Sequence, residues 1–65
     1  MTAATLPIAS IVAYPALGGT FLKERGDARH GSTWVFCDPG GARTAYDAEV
    51  DEALDAGATV LRDGA

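Results

Sequence analysis

Reactive and metal-ligating side chains are scarce in this sequence of 65 residues: Cys37 is the sole cysteine, His30 the sole histidine and Lys23 the sole lysine, and Asn and Gln are absent. One thiol excludes an intramolecular disulfide, and one thiol with one imidazole falls short of the ligand set of structural zinc. No cofactor or metal is expected. Long apolar runs are missing too. The most apolar stretch, Leu6 to Leu17, is broken by Pro7 and Pro15 and is too short to span a bilayer. No Lys or Arg precedes Lys23, so the charged start of a secretory leader is not visible. Basic charge is in deficit, with five Lys and Arg against nine Asp and Glu and a net charge of −4. That balance is the reverse of the footprint a phosphate backbone selects. The expectations are no direct nucleic-acid binding, no membrane role, and a location in the cytoplasm or in an assembly formed there, a virion included.

A chain of this length makes one small domain and buries only about 60% of the surface its unfolded form exposes. Folds of this size lean on disulfides, a metal or a partner surface. With the first two excluded, a protein partner or self-association is the expected support. The skew toward Ala, Gly, Asp and Arg has the look of translation from a GC-rich genome, bacterial or viral.

The small residues 1–5 are expected to form a flexible arm and residues 63–65 a tail. Ile8 to Tyr14 is β-branched and aromatic and reads as a strand; Pro15 to Gly19 supplies turn chemistry. Thr20 to Arg25 predicts a second strand, with Phe21 and Leu22 on opposite faces. The polar stretch Gly26 to Ser32 predicts the longest and most mobile loop. Thr33 to Cys37 carries the strongest strand signal, and Asp38-Pro39-Gly40-Gly41 turns it back into a strand over Ala42 to Ala45. A helix is expected from about Tyr46 to Ala56. Thr44 or Asp47 would cap it, acids crowd its positive end, and Gly57 would close it. Tyr46, Val50, Ala53, Leu54 and Gly57 form its apolar stripe. Ala58 to Arg62 predicts a last strand.

The order β-β-β-β-α-β gives an α+β fold: a small, mostly antiparallel sheet of four to five short strands with one acidic amphipathic helix packed on one face. The crossover through the helix leaves room for a last strand parallel to its neighbour.

Catalytic constellations are weak. Cys37 as nucleophile, His30 as base and Asp27 or Asp38 as orienting group have the right residue types. A thiolate needs an electropositive setting, however, and Asp38 follows Cys37 directly. The preferred reading of Cys37 is a small hydrophobe at a strand end, and no catalytic residue is expected. A metal site from Asp27, His30 and Asp38 lacks any known ligand spacing. The glycine pairs at 18–19 and 40–41 lack the Gly-Lys-[Ser/Thr] of a phosphate loop, and Arg25-Gly26-Asp27 reads as the start of a loop.

Two surface features remain. Asp47, Glu49, Asp51, Glu52 and Asp55 gather on one side of the helix, where like charges repel and a basic partner would be attracted; the plainer and preferred reading is a solvated face in a proteome that uses Asp and Glu freely. Tyr14 and Trp34 are residue types enriched in binding hot spots, on strands whose edges no lysine guards; the other reading of both is the protein's own core, which is preferred for Trp34. The chain is therefore expected to be a small non-catalytic structural or accessory subunit docking on a larger assembly, for example as a minor or decorating protein of a viral particle. Tyr14, Trp34, Asp51, Glu52 and Asp55 are the expected partner contacts. The alternatives are an acidic inhibitor or antitoxin-like module that fills a basic protein groove, and a small thiol enzyme.

Overall fold

Ser32, Trp34 and Phe36 alternate with Thr33, Val35 and Cys37, and this period of two turns one set inward and the other outward. The computed structural model describes residues 2–27 and 29–64. Met1 of the expected arm, Ala28 of the expected loop and Ala65 of the expected tail lie outside the described residues, as does the side chain of Asp27. The elements are β1 (Ile11–Tyr14), β2 (Gly19–Asp27), β3 (Gly31–Asp38), β4 (Gly41–Tyr46), α1 (Asp47–Asp55) and β5 (Thr59–Arg62), with 3-10 turns at Ala3–Thr5 and Pro15–Leu17. The strands form one sheet in the order β4-β3-β2-β1-β5, and every adjacent pair is antiparallel. The fold is α+β, with a single helix on one face of a five-stranded sheet.

β5 does not lie parallel to a neighbour. It pairs antiparallel with β1, while β4 holds the opposite edge, so the chain crosses the full width of the sheet between them. On the way α1 buries Val50 and Ala53 against Val12, Phe21, Trp34, Phe36 and Ala45. The rings of Phe21 and Phe36 meet at 4.6 Å with a tilt of 50°, an arrangement that adds to simple burial.

Both ends of the helix differ in detail from expectation. Tyr46 is the N-cap and no side chain caps the first turn, because Asp47 sends its carboxylate inward to Ser32 and Trp34. Tyr46 therefore ends β4 and is 61% exposed rather than part of the buried stripe. At the other end Gly57 has φ +106, its N–H donates to Leu54 O at 3.2 Å, and Ala58 N–H donates to Ala53 O at 2.9 Å. This is a Schellman closure. A Cβ at Gly57 meets nothing within 4 Å, so Gly57→Ala isolates the left-handed backbone. It is expected to cost about 1–2 kcal/mol in urea unfolding, and an unchanged midpoint would refute the closure.

The expected loop at 26–32 is mostly strand. Gly26 pairs with Ser32 and Asp27 with Gly31, leaving only residues 28–30 between the strands. Gly26 makes this possible: its φ is +101 and an added Cβ would stand 2.2 Å from Gly31 O.

The N-terminal segment is packed rather than loose. Ala3 and Leu6 are buried, Ala3 N–H donates to Asp51 Oδ1 at 2.6 Å, and Lys23 holds the carbonyls of this turn. The expected first strand starts three residues late. Ala9 takes φ +72 and breaks the extended run, at a cost of about 1–2 kcal/mol. Near the tail, Arg62 Nε donates to Gly64 O at 2.8 Å, and Gly64 is buried.

Candidate functional site

Two polar anchors, Lys23 and Asp47, tie distant parts of the fold together. Lys23 follows Phe21 by two positions on β2 and so falls on the covered face. It is 1% exposed. Its Nζ donates to Ala3 O and Ala4 O at 3.2 Å each and to Leu6 O at 2.6 Å, and sits 5.8 Å from the centre of the Trp34 ring. The only lysine is thus a structural cation under an N-terminal strap. The placement of Phe21 and Leu22 on opposite faces was the sequence signal that could have found it.

Asp47 is the second anchor. Its carboxylate accepts the Ser32 backbone N–H at 3.0 Å, the Ser32 hydroxyl, and Trp34 Nε1–H at 2.8 Å. Partial burial pushes its pKa up, but the hydrogen bonds from Ser32 and Trp34 and the Lys23 charge outweigh that, and the net shift is below the ordinary aspartate value. The sequence signal was faint, since Ser32 lies 15 residues away.

The expected partner contacts separate into two groups. Trp34 is fully buried and belongs to the core. Asp51 is half-buried and bound to the Ala3 N–H. Glu49 is paired bidentately with Arg43, which lowers the Glu49 pKa. Three of the five helix carboxylates, Asp47, Glu49 and Asp51, therefore have partners within the fold. Glu52 and Asp55 remain exposed. Tyr14 is half-buried and, with Leu17, Phe21, Glu49, Glu52 and Ala53, lines a cleft of about 180 Å³, so the structure brings Tyr14 and Glu52 together.

The proposed thiol chemistry is not assembled. Cys37 is near the end of β3, while His30 precedes its first residue, a separation of about 24 Å at the strand rise of roughly 3.4 Å per residue. Asp38 shares the Cys37 end. Among the described residues no group of three His, Cys, Asp or Glu is placed to hold a metal.

The largest feature unforeseen from sequence is the sheet face away from α1. The register aligns Thr44, Val35, Leu22 and Ile11 in one row across β4, β3, β2 and β1, and Ala42, Cys37, Thr20 and Ala13 in the next. Leu22 is 42% exposed, Val35 and Ile11 are half-buried, and Cys37 and Thr44 are exposed. Arg25, opposite Thr33, and Arg62, opposite Ile11, stand at one end. No carboxylate occupies either row.

Among the described residues no helix is long and apolar enough to cross a membrane. In comparison with known proteins, the chain matches no protein family, no curated protein and no solved structure.

Proposed function

We propose that this chain is a non-catalytic accessory or structural subunit that docks on a larger protein assembly through the sheet face opposite α1. The observation that carries the reading is the row Ile11, Leu22 and Val35 across the three central strands, an apolar centre that the single helix leaves uncovered. The partner is a protein surface with an apolar centre and acidic groups facing Arg25 and Arg62; a viral particle is one assembly that offers such a seat. A standard interface takes about 800 Å² from each side. That is about a fifth of this chain's 3912 Å². The acidic-groove reading has less support, because Asp47, Glu49 and Asp51 are engaged within the fold.

The test is the double variant Leu22→Lys with Val35→Lys, compared with the wild type in capture from the native source. Both side chains lie outside the core, so the circular dichroism and melting temperature should hold. The wild type is expected to bring down a stoichiometric companion that the variant loses. Equal recovery with both proteins, or no stoichiometric companion, would sink the proposal. Loss in Glu52→Gln with Asp55→Asn instead would transfer the contact to the helix.

A further inference from the structure

We infer that two copies of this chain join edge to edge through β4, in antiparallel register centred on Thr44, to make a continuous ten-stranded sheet. In an antiparallel sheet the N–H and C=O of one residue point to the same side, and those of successive residues to opposite sides. Lys23 N–H donates to Ser10 O at 3.0 Å, so Lys23 bonds toward β1 and Leu22 toward Val35 of β3. Val35 is thereby committed to β2. Thr44, which stands opposite Val35 on β4, has its N–H and C=O directed away from the sheet. The same parity directs those of Ala42 and the N–H of Tyr46 outward.

An open edge of this kind invites a strand unless something blunts it. β5 is blunted, being four residues long with a register shift against β1. β4 has six residues, Gly41 to Tyr46, with neither Pro nor Lys, and pairs with β3 without a bulge. Its one charge, Arg43, is already neutralised by Glu49.

Three registers are available to two copies of β4. Centring on Arg43 sets two guanidinium groups directly opposite each other, which is unfavourable, and leaves Tyr46 without a partner. Centring on Ala45 uses only Thr44 and Tyr46. Centring on Thr44 engages all three outward residues: Thr44 bonds reciprocally with Thr44 of the second copy, and each Tyr46 N–H donates to the Ala42 carbonyl of the other, so that only the Ala42 N–H takes no strand partner. Side chains then meet small against large, Ala42 with Tyr46 and Arg43 with Ala45. The two-fold axis stands perpendicular to the sheet, so the uncovered faces of both copies join on one side and both helices lie on the other. The pairing is independent of what docks on that face.

Sedimentation equilibrium of the purified chain is expected to give twice the monomer mass, and Thr44→Pro to return it to the monomer. Proline is tolerated there within the fold because the Thr44 N–H takes no part in the β3 ladder. Register is read separately by cysteine pairs in a Cys37→Ser background. Thr44→Cys places its thiols across a strand pair whose Cα atoms are about 5.5 Å apart, within disulfide range. Ala42→Cys places them four residues out of register, about 14 Å apart. The first is expected to oxidise to a covalent dimer and the second to stay monomeric. A monomeric wild type, a dimer that survives Thr44→Pro, or equal oxidation at 42 and 44 would overturn the inference; if the proline variant fails to fold, the cysteine pair decides. Leu22→Lys with Val35→Lys should still dimerise, which separates this pairing from face docking.

Discussion

Lys23→Met should lower the unfolding free energy by about 2–4 kcal/mol, a large share of the roughly 3–10 kcal/mol expected for a domain of this length. Replacing a buried ion pair by apolar groups is often neutral, because both charged partners disappear together. Here the acceptors are the backbone carbonyls of Ala3, Ala4 and Leu6, which no substitution at position 23 removes. Hydrogen bonds to a charged donor contribute about 1.5–3 kcal/mol each, and the methionine recovers part of that loss by filling the volume. The stranded carbonyls can be rehydrated only if the strap lifts, so amide exchange at Leu6, whose N–H donates to Ala3 O at 3.2 Å, should accelerate more than exchange at Val12 or Phe21. A change below about 0.5 kcal/mol, the scale of an ordinary surface substitution, would show that the cation is dispensable.

Asp47→Ala is expected to cost about 3–4 kcal/mol, because it strands the buried Trp34 Nε1–H and removes two acceptor contacts to Ser32; an unsatisfied buried donor alone costs about 1–3 kcal/mol. Asp47→Asn retains one oxygen and should cost less. The pair also yields a pH signature. The folded-state pKa of Asp47 lies below its unfolded value, so the stabilisation is complete above the ordinary aspartate value of about 3.9. It declines as pH falls through the folded-state value. The stability gap between wild type and Asp47→Asn should stay constant from neutral pH to about pH 5 and close at lower pH. Equilibrium urea unfolding over that range measures it, and a gap that widens on acidification would contradict the sign.

The class of fold, the helix position and the hairpin of β3 with β4 follow from local patterning, since strand periodicity, turn residues and Gly57 act within a few positions. What escaped depends on distant partners. The N-terminal residues are small and polar and resemble a disordered end; they are ordered by a cation 20 residues downstream and a carboxylate 48 residues downstream. Residues 26–32 have a loop composition, yet Gly26 permits close strand approach and Asp47 secures Ser32 from the helix. The acidic side of α1 reads from sequence as one surface, whereas tertiary contacts divide it into engaged and free carboxylates. Tyr14 and Glu52 did come together at a cleft, but Trp34 was drawn inside by the same period that left Val35 out.

The strand order separates near from far events in time. The meander from β2 to β4 joins neighbours through short turns, while β5 must reach β1 across nearly the whole chain, with Val12 pairing with Val60. Closing so long a loop is entropically late, so the meander and helix should form the folding nucleus and the strap and last strand condense afterwards. Lesions at Lys23, Ala3 or Val60 should then appear mainly in the unfolding rate, and lesions at Phe36 or in the turn at Pro39 in the folding rate.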